Sequence, residues 1–181
     1  GPSNSLQGYI PVGLWQGVGG CESGFAKPDP LDPNIVWSGC YDGGLERYDR
    51  QTGYAREVRV WPEAGYGWTP SDLKYRWHWN FPLSFSPHTA HRVYVGSQFV
   101  HKTDDDGQSW QVISPDLTLN LKDHQQNSGG VAIDNLMTFD GATLFAIEES
   151  PLEPGLIWTG SNDGQVQITR DGGTNWINVT E

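Results

Sequence analysis

Very little in this chain is basic, sulfur-bearing or continuously apolar, and each scarcity closes off a class of function. Its 181 residues carry 11 Lys and Arg against 22 Asp and Glu, a formal net charge of −11 at pH 7. With no cationic surplus to displace phosphate counterions, nucleic acid is a poor partner, and anionic membrane surfaces are disfavoured for the same reason. No apolar run reaches the roughly 18 residues that a membrane-spanning helix requires, so membrane insertion is not expected. Gly43-Gly44 and Gly129-Gly130 lack the strand, helix and lysine of a phosphate-binding loop, and no nucleophile-elbow motif occurs. The opening Gly1-Pro2-Ser3-Asn4-Ser5 has neither a basic region nor an apolar segment and carries no information on secretion.

The cysteines number two, Cys21 and Cys40. If 20–26 is an inner strand and 35–40 its antiparallel neighbour, a turn near Pro30 sets these positions almost opposite each other. A disulfide and a pair of buried thiols both fit that arrangement, and two cysteines do not settle the redox compartment. Neither has a specific His partner in sequence that would make it a nucleophile. The five histidines, including His78 and His101, show no metal-ligand spacing; no metal and no cofactor is expected, with weak Ca²⁺ at acidic loops left open.

What the chain has is Gly (23), Pro (12) and Trp (9), a composition suited to many short strands joined by demanding turns. The strongest signal is a repeat. Thr103, Asp105, Gly107 and Trp110 form a Thr-x-Asp-x-Gly-x-x-Trp pattern, and Thr169, Asp171, Gly173 and Trp176 repeat it. Upstream, Asp29-Pro30, Ser86-Pro87 and Ser150-Pro151 each lead into a short β-branched and aromatic run that closes on Gly39, Gly96 or Gly160. After the first of these runs the Asp turn has decayed to Tyr48-Asp49-Arg50-Gln51-Thr52-Gly53, without the Trp.

Repeated sheet units of this size predict an all-β fold, a partial β-propeller of about three four-stranded blades at 15–61, 75–118 and 138–180. Inner strands are expected at 20–26, 78–85 and 143–148, and a short helix or 3₁₀ turn at 133–137. In each Asp turn the carboxylate is expected to accept backbone amides, the glycine to supply a left-handed backbone, and the Trp to cover its own hairpin. These Asp residues therefore read as turn-makers.

The Thr-x-Asp-x-Gly-x-x-Trp turns resemble the Asp-box, or BNR, repeats of sialidases, xyloglucanases and the sortilin luminal propeller. Three phrases, at 76–82 (Arg-Trp-His-Trp-Asn-Phe-Pro), 112–118 and 147–155, resemble a closer group, the large bacterial BNR-repeat proteins of glycosyl-hydrolase-like type. The resemblance covers nearly the whole chain and implies a propeller in proteins far longer than this one, in an extracellular or periplasmic setting. Three units do not close a ring, so the partners it implies are the remaining blades of the parent or completing chains, with a glycan or protein as ligand. Related sequences run Gly-Gly-Gly-Asp-Gly where this chain has Gly19-Gly20-Cys21-Glu22-Ser23, a departure that weakens any transfer of function. No arginine stands in the motif context of a sialidase triad.

Glycoside hydrolysis needs two carboxyl groups, about 5–5.5 Å apart for retention or roughly 6.5–9.5 Å for inversion. Once the turn Asp residues are set aside, the candidates are Glu22, Asp72 and Glu148, with Asp134 and Glu149 behind them. Glu148 and Glu149 are adjacent in a predicted strand, point to opposite faces and cannot pair with each other. Ligand contact is better signalled by Tyr66, Trp68, Tyr75, Trp77, His78 and Trp79, since rings stack on sugars or anchor peptides as readily as they seal blade contacts. The long segment 114–141 adds a second candidate surface. The sequence reading is thus a binding or assembly propeller, with a fragment of a polysaccharide hydrolase as the enzymatic alternative.

Overall fold

The computed structural model describes residues 8, 13, 15–21, 24–65, 67–126 and 142–180. Within them the chain is all-β, with twelve strands in three four-stranded antiparallel sheets, each a meander in chain order. The first sheet comprises β1 (Ala26–Pro28), β2 (Ile35–Gly39), β3 (Leu45–Asp49) and β4 (Tyr54–Glu57). The second comprises β5 (Leu83–Phe85), β6 (Val93–Gly96), β7 (Val100–Thr103) and β8 (Gln111–Val112). The third comprises β9 (Leu144–Glu149), β10 (Ile157–Ser161), β11 (Val166–Thr169) and β12 (Ile177–Asn178). The sheets stack in sequence without closing on one another, a partial propeller of three blades. Glu22, Tyr66, Asp134 and the 133–137 turn lie outside the described residues.

In each blade the first strand is followed by a polar residue before proline whose side chain closes the turn on itself. Asp29 Oδ1 accepts the Leu31 amide at 2.9 Å, Ser86 Oγ accepts those of His88 and Thr89, and Ser150 Oγ accepts those of Leu152 and Glu153. The same three residues donate backbone bonds to Ile35, Arg92 and Leu156. These bonds align the blades residue by residue, so that Trp37, Tyr94 and Trp158 occupy one position and Leu45, Val100 and Val166 another. The residues following the outermost strands also match: Val58, Ile113 and Val179 donate their amides to Leu45, Val100 and Val166.

Both Asp boxes fold as closed hydrogen-bond rings. Thr103 Oγ1 donates to Asp105 Oδ1 at 2.7 Å and accepts the Gly107 amide at 3.0 Å. The Gln108 and Ser109 amides donate to the same carboxylate oxygen, and the Ser109 hydroxyl donates to the other. Thr169, Asp171, Gly173 and Asn175 reproduce the arrangement, with the Asn175 amide and side chain on Asp171. These donors favour the charged form. The Ser109 hydroxyl and amide, then Thr103, pull Asp105 down to about 2, and the Asn175 amide and side chain, then Thr169, do the same to Asp171.

The Trp of each box crosses to the preceding blade, and Trp176 also keeps a bond within its own hairpin, to the Gly173 carbonyl at 3.2 Å. Trp110 Nε1 donates to the Val58 carbonyl at 2.9 Å, and Trp176 Nε1 donates to the Ile113 carbonyl at 2.9 Å. The box glycines meet the same residues. A Cβ on Gly107 would stand 2.7 Å from Val58 Cβ, and one on Gly173 would stand 2.5 Å from the Ile113 carbonyl oxygen, at φ of +76° and +106°. Glycine is therefore required here twice, by backbone conformation and by the approach of the neighbouring blade.

Two cores result. Ile35, Trp37, Leu45 and Val58 pack on Phe81, Leu83, Val93 and Val95, with Trp77 inserted among them. Tyr94, Val100 and Leu117 pack on Leu144, Ile147 and Ile157, with Ile113 and Trp176 at the margin.

Two inner strands are shorter than the sequence suggests. In place of a strand at 20–26, β1 starts at Ala26, because Gly24 sits at φ +124° with Gly39 backbone where a Cβ would lie. Cys21 is consequently not the register partner of Cys40, yet the two form a disulfide with Cα atoms 5.1 Å apart. In place of a strand from 78, β5 starts at Leu83. His78 Nδ1 accepts the Asn80 amide at 3.0 Å, and this local turn replaces the ladder before Phe81 is delivered to the core.

Trp110→Phe removes the indole N–H and the pyrrole part of a ring packed on the first core, stranding the Val58 carbonyl, so it is expected to cost about 2 kcal/mol in chemical denaturation. Trp176→Phe should act alike. The depressed carboxyls of Asp105 and Asp171 add stability that is complete above their ordinary value of 3.8 and lost as pH falls through about 2. The Asp105→Asn, Asp171→Asn double variant should therefore show a flatter decline of unfolding midpoint across that interval than the unaltered chain.

Candidate functional site

A four-stranded meander has two unlike ends. Its first and third turns leave at one end; its middle turn and its connections to other blades leave at the other. In this chain the first end carries the Pro turns and the Asp boxes, whose polar side chains bond largely to the backbone of their own turns. The second carries the described parts of the long connections, 58–65, 67–82, 113–126 and 142–143, together with the short turns 40–44, 97–99 and 162–165. Long loops held on a rigid frame are where ligand contacts concentrate.

The frame under this rim is centred on Arg76, a residue with no sialidase-triad context in the sequence. It is only 4% exposed. Its backbone amide donates to Gln98 Oε1, its Nε to the Ala142 carbonyl, and its Nη2 to Asp116 at 2.7 Å and Thr118 at 3.4 Å. One guanidinium thus joins the loop before β5, the segment after β8 and the approach to β9. A second tie runs from the Leu119 amide to Asp163 in the third blade. Arg76 lies within the Arg-Trp-His-Trp phrase, so the signal available was the phrase and not the charge.

The aromatic candidates separate once placed. Trp77 is buried in the first core, 5.1 Å from Phe81 and stacked 5.3 Å from His101, and does not reach the rim. Tyr75 is half-buried beside it, edge-on to His101 at 4.6 Å. Trp79 is half-buried against Tyr41 at 4.5 Å, next to the Cys21–Cys40 bridge, and His78 meets Phe145 edge-on at 4.8 Å. Trp68 is 59% exposed. Sequence reasoning passed over Trp61, exposed on the same loop with Lys74 Nζ 3.4 Å from its ring centroid, a cation–π contact that holds a charge over an accessible indole. Tyr41 was missed as well, because its partner lies 38 positions away.

The acidic groups are spread. Asp72 is exposed at the end of the 3₁₀ turn Pro70–Asp72, on the rim. Asp42 lies beside Gly65; burial pushes its carboxyl up, opposed by the Gly65 amide and by Arg59. Glu148 is exposed near the other end of β9 and accepts the Ser84 hydroxyl at 3.0 Å, so it and Asp72 do not share an end of the blades. Glu149 is buried, accepting the Tyr94 hydroxyl at 3.0 Å and the Gly155 amide at 2.9 Å. Burial, then the Glu149 charge, pushes the Tyr94 phenol well up, and it acts as a fixed donor.

Ser97 Oγ and His101 Nε2 lie 2.7 Å apart, the spacing of a nucleophile and its base. Both are fully buried beneath Tyr75 and Trp77, and burial holds His101 down to about 3. This pair is packing, with no route to a substrate. Among the described residues no group of three or more His, Cys, Asp or Glu is placed to hold a metal ion. No helix among them is long and apolar enough to cross a membrane. A separate open cleft of about 420 Å³ is lined by Phe25 and Lys27 from the first blade, Leu83 from the second, and Phe145, Glu148 and Trp158 from the third.

No protein-family model and no curated protein matches the chain. Among solved structures it is similar to YCF48 from Cyanidioschyzon merolae, with 14% identity over 85% of this chain and a TM-score of 0.49. It is also similar to a structure of YCF48 bound to D1 peptide, with 16% identity, 85% coverage and a TM-score of 0.47. The chain spans 35% and 43% of the lengths of those two chains.

Arg76→Ala leaves Asp116 and the Ala142 carbonyl without their partner, and is expected to cost about 3 kcal/mol in chemical denaturation. Arg76→Lys should restore little of it, since an ammonium cannot span the Ala142 and Asp116 acceptors as the planar fork does.

Proposed function

We propose that this chain is a section of a larger Asp-box propeller, and that its long-loop rim binds a glycan or a protein through an aromatic and acidic surface. The observation that carries this reading is the difference between the two blade ends. One end is filled by tight turns whose polar side chains bond largely to the backbone of their own loops. The other presents Trp61 and Trp68 exposed and Trp79 half-buried on Tyr41, with Asp72 exposed on the same loop, over a frame fixed by Arg76. Rigid rings backed by a fixed loop lose little entropy on binding and suit either sugar faces or peptide side chains. The Cys21–Cys40 bridge supports an extracellular or periplasmic setting, because such bonds persist in oxidising compartments.

The enzymatic alternative, part of a polysaccharide hydrolase, draws on one observation: Glu148 is exposed in a cleft that also contains Phe25, Phe145 and Trp158. Such chemistry would require a second carboxyl at glycosidase spacing from the rest of the ring.

Glycan arrays and displayed-peptide libraries, applied to this chain and to the complete parent, test the reading. Trp68→Ala and Trp79→Ala are expected to weaken binding by at least about tenfold without lowering the unfolding midpoint substantially. Ligand binding that survives both replacements would remove the rim from the proposal. Release of reducing ends that disappears in Glu148→Gln would move the assignment to the hydrolase.

A further inference from the structure

The two interfaces between blades use one set of positions, and the third blade presents that set uncovered. Trp37, Leu45 and Val58 of the first blade are 0%, 1% and 3% exposed beneath the second. Their counterparts Tyr94 and Val100 are 1% and 0% exposed beneath the third, with Ile113 packed at the edge of that core. In the third blade the same positions are Trp158, Val166 and Val179, exposed by 45%, 39% and 38%. The backbone at this site is also prepared. Val179 donates its amide to Val166 as Val58 does to Leu45 and Ile113 to Val100, and its carbonyl has no donor among the described residues.

We infer that this face of the third blade receives a further Asp-box blade of the same polypeptide, whose box Trp donates its indole N–H to the Val179 carbonyl while the box Gly lies against the Val179 side chain. The inference rests on the reading of the chain as a section of a larger propeller and names the element that docks on it. In both interfaces present, the box that bonds the carbonyl comes from the blade that follows in sequence, which sets the direction.

A second copy of this chain is the wrong occupant. Its second and third boxes are engaged with its own blades. Its first blade has Ala55 where the others have Trp110 and Trp176, as the pairings Arg47 with Arg56 and Lys102 with Gln111 show. That blade's outer face is also occupied by its own chain: Ser38 Oγ donates to the Val18 carbonyl at 2.6 Å, and the Gly20 amide donates to Glu46 at 2.7 Å. The site therefore calls for an indole that the first blade does not possess.

The experiment extends the intact 181-residue chain at its C-terminus with a duplicate of 142–180, which carries its own box and has Phe in place of its copy of Trp158, and in parallel with a duplicate of 15–61, which lacks the box Trp and has Phe in place of its copy of Trp37. Oxidative footprinting reads Trp158, with Trp37 as the buried standard, and thermal unfolding reads stability. The expected result is that the first extension lowers Trp158 oxidation to the level of Trp37 and raises the unfolding midpoint. Changing the added box Trp to Ala should abolish both effects, and the 15–61 extension should produce neither. Equal protection by both extensions, or none by the first when its own strands are shown folded by amide exchange, overturns the inference. Dimerisation of the unextended chain with protection of Trp158 also overturns it, in favour of a second copy. In the unextended chain Trp158→Thr, which places no charge opposite Glu148, should leave the midpoint little changed; a marked loss would show that Trp158 is already packed and would likewise overturn it. None of these readouts involves the ligand rim, so failure here leaves the rim assignment to its own test.

Discussion

Everything in this molecule depends on how one blade is fastened to the next, and the bond that recurs at both interfaces is an indole N–H placed on a backbone carbonyl of the preceding blade. The Asp box is the device that places it. Thr103 and Asp105, or Thr169 and Asp171, use up the amides of a tight turn and set the Trp that follows with its indole N–H reaching the preceding sheet. The carboxylate never meets the neighbouring blade, yet it determines where the ring goes. Apolar burial supplies the larger share of the energy through Trp37, Tyr94 and their surroundings, but burial is non-directional. The indole bond and the glycine beneath it set the register in which that burial happens.

The two blade ends divide labour accordingly. At the turn end, polar side chains serve the backbone of their own loops and leave little for a partner. At the other end the connections are too long to satisfy themselves, and a buried guanidinium does it for them. Arg76 reaches the Ala142 carbonyl and Asp116 at once, which fixes the height of the loop that carries Trp61, Trp68 and Trp79. A surface of exposed rings is useful for recognition only if it does not move when it is touched.

Much of the architecture was legible in the residues because it is written locally. A polar residue before proline, a β-branched run closing on glycine and an eight-residue turn motif are short-range signals, and each of the three blades carries most of them. What was not legible depends on distance in the chain. The Trp of the box looked like a cover for its own hairpin because nothing within eight residues indicates a carbonyl 52 or 63 positions earlier. Arg76 looked like one arginine among several, because its acceptors lie 40 and 66 positions away. The inner strand proposed at 20–26 failed for a local reason, a glycine held left-handed against Gly39, which an apolar-periodicity reading does not weigh. Trp77 belonged to an aromatic cluster in sequence and to the core in space, since neighbours in a loop need not share a face.

The missing tryptophan at Ala55 has a consequence for how such a molecule is made. Because each box secures the blade before it, the sheet that contains Ala55 would hold no earlier sheet by an indole as the chain emerges from the ribosome, and would itself be fastened only when Trp110 appeared. Every later blade would then arrive as the finishing piece of its predecessor, so the growing end is always the one with an uncovered face, and synthesis advances like a zip whose slider is the newest hairpin.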